Sequence, residues 1–418
     1  MRLVFLFFIA TIAYVFWHLW RITPGGWWLK LAAGLLFLLW MAAAFGSIML
    51  RERGSVAGLR VLNGIGQPWT IVYVYLLIAF VLADLGVLLR LLPKGWLNGN
   101  GYALAGILGV IALLMLVGNV HYRHKYREEM TVHTSKPLTR PLTIVFASDL
   151  HLGYTNSRRE FARWVDLIRD EHPDLVLFGG DIIDNSVRPL LQDRYGEEFA
   201  RIGAPLFTVL GNHEYISSEG DAEKFFADAG ITLLRDSTAC FEGLRIIGRD
   251  DRSNPARLPL ERVMEACCGA AAGCAAGASL AGGQAEAAAS GAPECAGATV
   301  AGGAVSCSAG ATVADGAPGR AGAYLAGGAP FTILLDHQPA HLEEAERAGI
   351  DFQFSGHTHR GQFWPVSWLT DAIYEKSWGR HRRGNTLYYV SSGLGIWGPK
   401  VRLGSRSEYL VLHLLPAD

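Results

Sequence analysis

The pattern of hydrophobic and polar positions divides the chain near residue 122. Before that point four apolar stretches, Leu3–Trp20, Trp28–Leu50, Trp69–Leu92 and Tyr102–Val120, are separated by short polar turns. A helix needs about 20 apolar residues to cross the hydrocarbon core of a bilayer, and each stretch is close to that length. Trp17, Trp20, Trp27, Trp28, Trp69 and Trp96 stand near the ends of the stretches, where interfacial anchors sit. The first stretch follows Arg2, as in a signal peptide, but it ends in the bulky run FWHLWR and lacks a small-residue cleavage site. A buried helical core would need a large polar partner surface that this segment does not supply. Four transmembrane helices are therefore expected in residues 1–122, followed by a linker at 123–141.

From Leu142 the pattern changes to short apolar runs alternating with amphipathic stretches. LTIVFASD, DLVLFGGD, PLFTVLGN, FTILLDH and DFQFSGH read as buried strands, and LYYVSSGLG and SEYLVLHLL add two more. Between the first two, SRREFARWVDLIRDEHP places Phe161, Trp164, Val165 and Ile168 on one helical face, with a capping-box spacing at Ser157 and Glu160. Further helices are expected around Asp221–Ala229 and Pro339–Ala348. Strands alternating with helices indicate a layered α/β domain, placed at 142–415. Residues 266–329 interrupt it with a run of almost only Ala, Gly, Ser and Cys. So little large apolar surface predicts a flexible insertion without a catalytic part.

Composition changes this picture little. Half of the 418 residues are hydrophobic and the formal net charge is −1, so no general affinity for nucleic acid is expected. With the N-terminus inside, the inner segments carry Arg2, Arg51, Arg53, Arg60, Arg123, Lys125 and Arg127 against Arg21, Lys30, Arg90 and Lys94 in the outer loops, a modest excess that predicts a cytoplasmic C-terminal domain in a multi-pass cell-membrane protein. Asp84 lies inside the third stretch, where an ionisable group is costly and either pairs with another helix or serves a function. Five of the six cysteines, Cys267, Cys268, Cys274, Cys295 and Cys307, fall in the insertion without a C-x-x-C pair, which gives no support to zinc or thioredoxin-type chemistry.

Each of the five core strand runs ends in residues able to bind a metal. Asp149 and His151 stand in SDLHLG, Asp181 in GGDIID, Asn212 and His213 in GNHE, His337 in LLDHQP, and His357 and His359 in GHTH. Ligands in α/β folds gather beyond the carboxyl ends of the strands, so residues far apart in sequence can converge there. An oxygen and nitrogen ligand set without thiolate suits Mn, Fe or Zn better than Mg or Ca.

The order and wording of these motifs, over roughly Thr143 to Leu414, resemble the calcineurin-like metallophosphoesterase superfamily. SDLHLG, GHTHRGQ and GPKVRLGSRSE look like its membrane-associated branch, which includes transmembrane metallophosphoesterase proteins and UDP-2,3-diacylglucosamine pyrophosphatases. The resemblance implies an α/β/β/α sandwich and two divalent metal ions. Asp149, His151 and His359 would hold one ion, Asn212, His337 and His357 the other, and Asp181 would bridge them. Two adjacent ions polarise a phosphoryl group toward attack by water. His213 would then be the catalytic acid or base, oriented by Glu214 from the second shell. Arg360 stands where the family pattern has a glycine, and a substrate contact is expected of it. Arg158, Arg159, Arg188 and Arg252 are further phosphate contacts to be tested.

The activity this implies is hydrolysis of a phosphodiester or pyrophosphate in a phosphorylated, lipid-linked substrate beside the bilayer, such as the nucleotide-linked glycolipid UDP-2,3-diacylglucosamine. The alternatives are a phosphomonoesterase or cyclic-nucleotide phosphodiesterase acting on soluble substrates, and a non-catalytic membrane-bound scaffold. The scaffold predicts missing ligands, and every expected position is filled. Oligomeric state is not readable from the chain.

Overall fold

The computed structural model describes residues 2–266, 299–301, 304–308 and 329–417. They form two compact units. One comprises Met1–Arg123 with Trp397–Leu403, and the other His124–Ile396 with Gly404–Asp418.

The first unit contains α1 (Arg2–Ile22), α2 (Trp27–Met49), α3 (Val56–Gly66), α4 (Pro68–Leu88) and α5 (Gly101–Arg123). Four spans, Phe5–Ile22, Trp27–Met49, Val56–Leu88 and Gly101–Arg123, are long and apolar enough to cross a bilayer. α3 is an element that the hydropathy pattern did not separate from its surroundings. Its N-cap Ser55 accepts a hydrogen bond from the Gly58 amide, and the helix runs to Gly66, two residues before Pro68 opens α4. Large apolar side chains such as Leu3, Leu36, Leu39 and Leu88 point outward, the arrangement a lipid environment satisfies. Asp84 is paired across the helices. It accepts a hydrogen bond from Tyr14 at 2.7 Å, and its Oδ2 lies 3.0 Å from His18 Nε2. Of the C-terminal segment in this unit, the Arg402 amide donates to Gly118 O at 2.9 Å, and Asn119 Nδ2 donates to Lys400 O at 2.8 Å.

The second unit is built on two sheets. The first comprises β1 (Lys125–Thr134), β2 (Leu142–Ala147), β3 (Leu175–Phe178), β4 (Leu206–Thr208), β5 (Thr232–Leu233) and the last strand β14 (Ser407–Pro416), in the order β1-β14-β2-β3-β4-β5. β2 to β5 run parallel, and β14 is antiparallel to β2. The second sheet comprises β6 (Ser237–Phe241), β7 (Leu244–Gly248), β8 (Thr299–Ala301), β9 (Ala304–Ser308), β10 (Phe331–Leu335), β11 (Phe352–Ser355), β12 (Gly379–Arg383) and β13 (Thr386–Val390). Its order is β12-β13-β11-β10-β7-β6-β9-β8.

The period-two alternation of strand side chains explains how the sheets stack. Ile333 and Leu335 of β10, Ile246 of β7 and Tyr389 of β13 enter a core shared with Ile144, Phe146, Leu177 and Phe207 of the first sheet. Their neighbours Leu334, Ile247 and Tyr388 point the other way and pack with Leu260, Val263, Leu342 and Ala345. On the outer side of the first sheet, helix Arg158–Asp170 buries Phe161, Trp164, Val165 and Ile168. Helix, sheet, sheet and helix follow one another as layers, so the α/β sandwich expected of this region is the architecture observed.

Local details differ from expectation. Residues 125–134, read as linker, are a ten-residue strand paired with β14 along its whole length. KYREEMTVHT has too few apolar residues to announce a strand, because it lies at the sheet's edge. Ser157 occupies the N-cap of its helix without a side-chain cap bond, and Glu160 is buried. Within the Ala/Gly/Cys stretch, Thr299–Ala301 and Ala304–Ser308 extend the second sheet beyond β6. The expectation of flexibility for the rest of 267–328 falls outside the described residues.

The sheets meet most tightly at Phe354, which is fully buried, with its ring centroid 4.9 Å from Phe146 and 6.2 Å from Tyr389. Phe354→Ala is expected to cost about 3–5 kcal/mol and to lower the thermal unfolding midpoint of the detergent-purified protein. An unchanged midpoint would show that this contact does not hold the sheets together.

Candidate metal centre

Every candidate ligand lies just beyond the carboxyl end of a parallel strand. Asp149 and His151 follow β2, Asp181 follows β3, Asn212 follows β4, His337 follows β10, and His357 and His359 follow β11. Turning each chain sharply there requires unusual backbone. Asp149, His151, Asp181, His357 and His359 all have positive φ, between 44° and 70°. Non-glycine residues rarely take this conformation, and its concentration at one place is the mark of a functional site.

The side chains converge in two groups. In the first, His151 Nε2 and His359 Nε2 are 3.0 Å apart, and His359 Nε2 is 3.4 Å from Asp149 Oδ1. In the second, Asn212 Oδ1 lies 2.8 Å from His357 Nδ1 and 3.3 Å from His337 Nε2. Asp181 stands between them, its Oδ2 being 3.2 Å from His337 Nε2 and 3.7 Å from His151 Nε2. Asp149, His151 and His359 bring ligand atoms within 4.8 Å of one another, as do Asp181, His337 and His357. Buried carboxylates among imidazole nitrogens that face each other are the donor set a divalent cation satisfies, so the residues present fit the metals that the motifs imply.

The surroundings hold these groups in place. His337 Nδ1 donates to Gly179 O at 2.7 Å, which leaves Nε2 with a free lone pair toward the cluster. Ser148 Oγ donates to Asp149 Oδ2 at 2.6 Å. Glu214 is fully buried and accepts from three amides, those of Asp181 (3.0 Å), Gly211 (2.7 Å) and Ile183 (2.9 Å). It therefore pins the loop that carries Asp181. Sequence reading assigned Glu214 to orient His213, and the structure gives that task to Asp184. His213 Nδ1 donates to the Asp184 carbonyl at 2.9 Å and lies 3.2 Å from its Oδ1. The same Oδ1 is 3.6 Å from His151 Nδ1, so one carboxylate serves both histidines. Only three-dimensional placement reveals this shared partner.

The electrostatics follow from this geometry. Burial works against a charged imidazole at His213, but the nearby Asp181 charge and the hydrogen bond to Asp184 override it and push the pKa up to about 10. Burial also works to raise the Asp184 carboxyl, yet the adjacent His151 and His213 imidazoles hold it at about 2. Asp181 and Asp184 thus favour the protonated form of His213.

The arginines are more dispersed. Arg360 belongs to neither ligand group, and its guanidinium lies 4.4 Å over the Trp378 ring. Arg158 pairs with Glu197 and Glu198 at 2.8 and 2.9 Å, and Arg252 donates to Ala340 O at 3.0 Å. The neighbouring Asp250 and Asp251 are buried. Asp250 accepts from Tyr215 and Arg235, and Asp251 accepts from Gln338, the residue after His337.

Two substitutions probe this arrangement. A Cβ on Gly211 would sit 2.2 Å from Asp181 Oδ1, so Gly211→Ala is expected to displace the carboxylate and lower the metal content of purified protein. Full metal content would place Asp181 outside the ligand set. Asp184→Asn should retain metal and lower turnover by roughly 10–100-fold, the usual effect of losing a group that orients a site residue. Unchanged turnover would remove Asp184 from that role.

The family model for calcineurin-like phosphoesterases matches residues 142–261. An uncharacterized metallophosphoesterase of Helicobacter pylori J99 is 24% identical over 294 residues, covering 70% of this chain and 64% of that protein. A Danio rerio transmembrane protein with metallophosphoesterase domain is 27% identical over 323 residues, covering 72% and 60%. An uncharacterized metallophosphoesterase of Aquifex aeolicus is 24% identical over 292 residues, covering 69% and 90%. The chain thus spans less than two thirds of the length of the first two of these relatives. The motifs at the strand ends, the two-sheet sandwich that brings them together and the family model point the same way: residues 142–261 match the calcineurin-like phosphoesterase family.

Proposed function

We propose that the protein is a membrane-anchored, dinuclear metal-dependent phosphoesterase that hydrolyses a phosphodiester or pyrophosphate bond in an amphiphilic substrate, of which a nucleotide-linked glycolipid such as UDP-2,3-diacylglucosamine is the leading candidate. The observation that carries the reading is Asp181, whose carboxylate lies within 3.7 Å of histidines from both ligand groups. Asp149, His151 and His359 would hold one divalent ion, Asn212, His337 and His357 the other, and Asp181 would serve both. Mn, Fe and Zn suit this set. When bound, such a pair polarises the phosphoryl group and activates water. The chain's own contribution is His213, oriented by Asp184, which would donate a proton to the leaving oxygen. The apolar helices support the amphiphilic substrate class, because they keep the domain beside lipid.

Hydrolysis by detergent-purified protein with added Mn tests the substrate class. UDP-2,3-diacylglucosamine is expected to turn over faster than a generic phosphodiester, and both faster than a generic phosphomonoester. The reverse order would point to the soluble-substrate alternatives, and no turnover of any of them to a scaffold. Asp181→Asn is expected to remove most activity together with metal. His213→Asn should keep the metals while lowering kcat by ~10²–10⁴-fold, and less for substrates with a very good leaving group. Loss of metal from that variant would make His213 a ligand.

We further propose that the domain faces the cytoplasm, on the strength of the lysine and arginine asymmetry. A fluorescent-protein fusion after Asp418 is expected to be bright and an alkaline phosphatase fusion silent. The opposite pair of results would reverse the orientation.

A further inference from the structure

We propose that the phosphoesterase unit carries its own lipid-docking surface, formed by helix Val366–Ile373 and the loop before it. The surface is distinct from the transmembrane helices, and its occupant is the bilayer in which those helices sit. The inference rests on the membrane reading of α1–α5 and not on the assignment of catalysis.

The first observation is exposure of large apolar groups at one place. Trp364 is 41% exposed, Trp368 65%, Leu369 59% and Ile373 63%. These residues lie within ten positions of one another, and the Trp364 and Trp368 rings meet edge to face at 5.4 Å. Scattered apolar residues are normal on a protein surface, but a contiguous group marks an interaction site. Paired tryptophans beside aliphatic side chains are the composition of an interfacial membrane contact.

A second observation is that the helix is fixed in place. Ser367 faces inward, and a Cβ on Gly361 would lie 2.5 Å from its amide. Thr358 Oγ1 donates to Ser377 O at 2.6 Å, and Ser377 in turn donates to Asp371. Both ends of the helix are thereby tied to the GHTHRG loop, so the apolar side chains are presented outward by a rigid mount.

Charge supplies the third observation. Arg380 and Arg382 on edge strand β12 are exposed, and no carboxylate partner is found for them among the described residues. The nearby Glu375 is already paired with Arg383 at 2.9 Å. The segment following the tryptophans thus has unmatched positive charge, which an anionic lipid surface attracts.

Connectivity identifies the occupant. α5 ends at Arg123 and β1 starts at Lys125, so the unit cannot move far from the membrane surface.

The test uses the full chain, reconstituted in phosphatidylethanolamine/phosphatidylglycerol vesicles, with a benzophenone-bearing amino acid at one position at a time. Leu36, 69% exposed on α2, reports insertion of the helices. Leu369 reports docking, and Leu191, 58% exposed elsewhere on the phosphoesterase unit, is the comparison. After illumination, lipid adducts are expected at Leu36 and Leu369, several-fold above Leu191. Adducts at Leu36 with Leu369 no higher than Leu191 would overturn the docking surface, as would cross-linking of Leu369 to a second copy of the chain. Absence of adducts at Leu36 would overturn the membrane reading itself, and the docking surface with it.

Discussion

The site depends on one buried carboxylate that histidines from both candidate ligand groups approach. Asp181 is 2% exposed, and a charge so far from water is tolerated only where positive partners or hydrogen bonds compensate it. The fold supplies both. The His213 amide donates to Asp181 Oδ1 at 2.9 Å, and histidines from the two ligand groups face Oδ2. Glu214 fixes the loop by accepting amides on both sides of the carboxylate, and Gly211 leaves the space that the carboxylate fills. The sandwich can be read as the scaffold that brings five strand ends to this point.

The candidate ligands are legible in the sequence for a physical reason. A residue at the end of a buried strand is announced by the apolar run before it, and its chemistry is carried by its own side chain. Asp149, His151, Asp181, Asn212, His337, His357 and His359 all meet both conditions, and the structure brings all of them together. Asp184 and Glu214 do not meet them. What they do depends on which backbone or imidazole lies opposite in three dimensions, and a sequence does not record that. Edge elements were hidden for a related reason. β1 offers a mostly polar row because only part of its surface meets the core, and α3 lies in the chain next to a longer apolar helix.

Membrane and phosphoesterase units also differ in what their sequences reveal. In α1–α5 the apolar pattern identifies spans but not partners. Only the structure shows that Asp84 meets Tyr14 and His18, a polar link of the kind that orders helices in lipid. In the two-sheet unit the pattern identifies the core strands, yet nothing in the sequence sets apart the tryptophans after the GHTH motif as exposed. Their exposure becomes informative once the helix is seen clamped to the loop of a ligand histidine.

The central claim is that the two ligand groups act as one dinuclear centre joined through Asp181. Electron paramagnetic resonance of the Mn-loaded protein tests it most directly, because two Mn ions sharing a bridging carboxylate are magnetically coupled whatever the substrate. The account predicts an exchange-coupled spectrum, with two metal ions per chain by elemental analysis, replaced in Asp181→Asn by the spectrum of isolated Mn or by loss of signal. A spectrum of isolated Mn from the unaltered protein, with a single ion per chain, would contradict it.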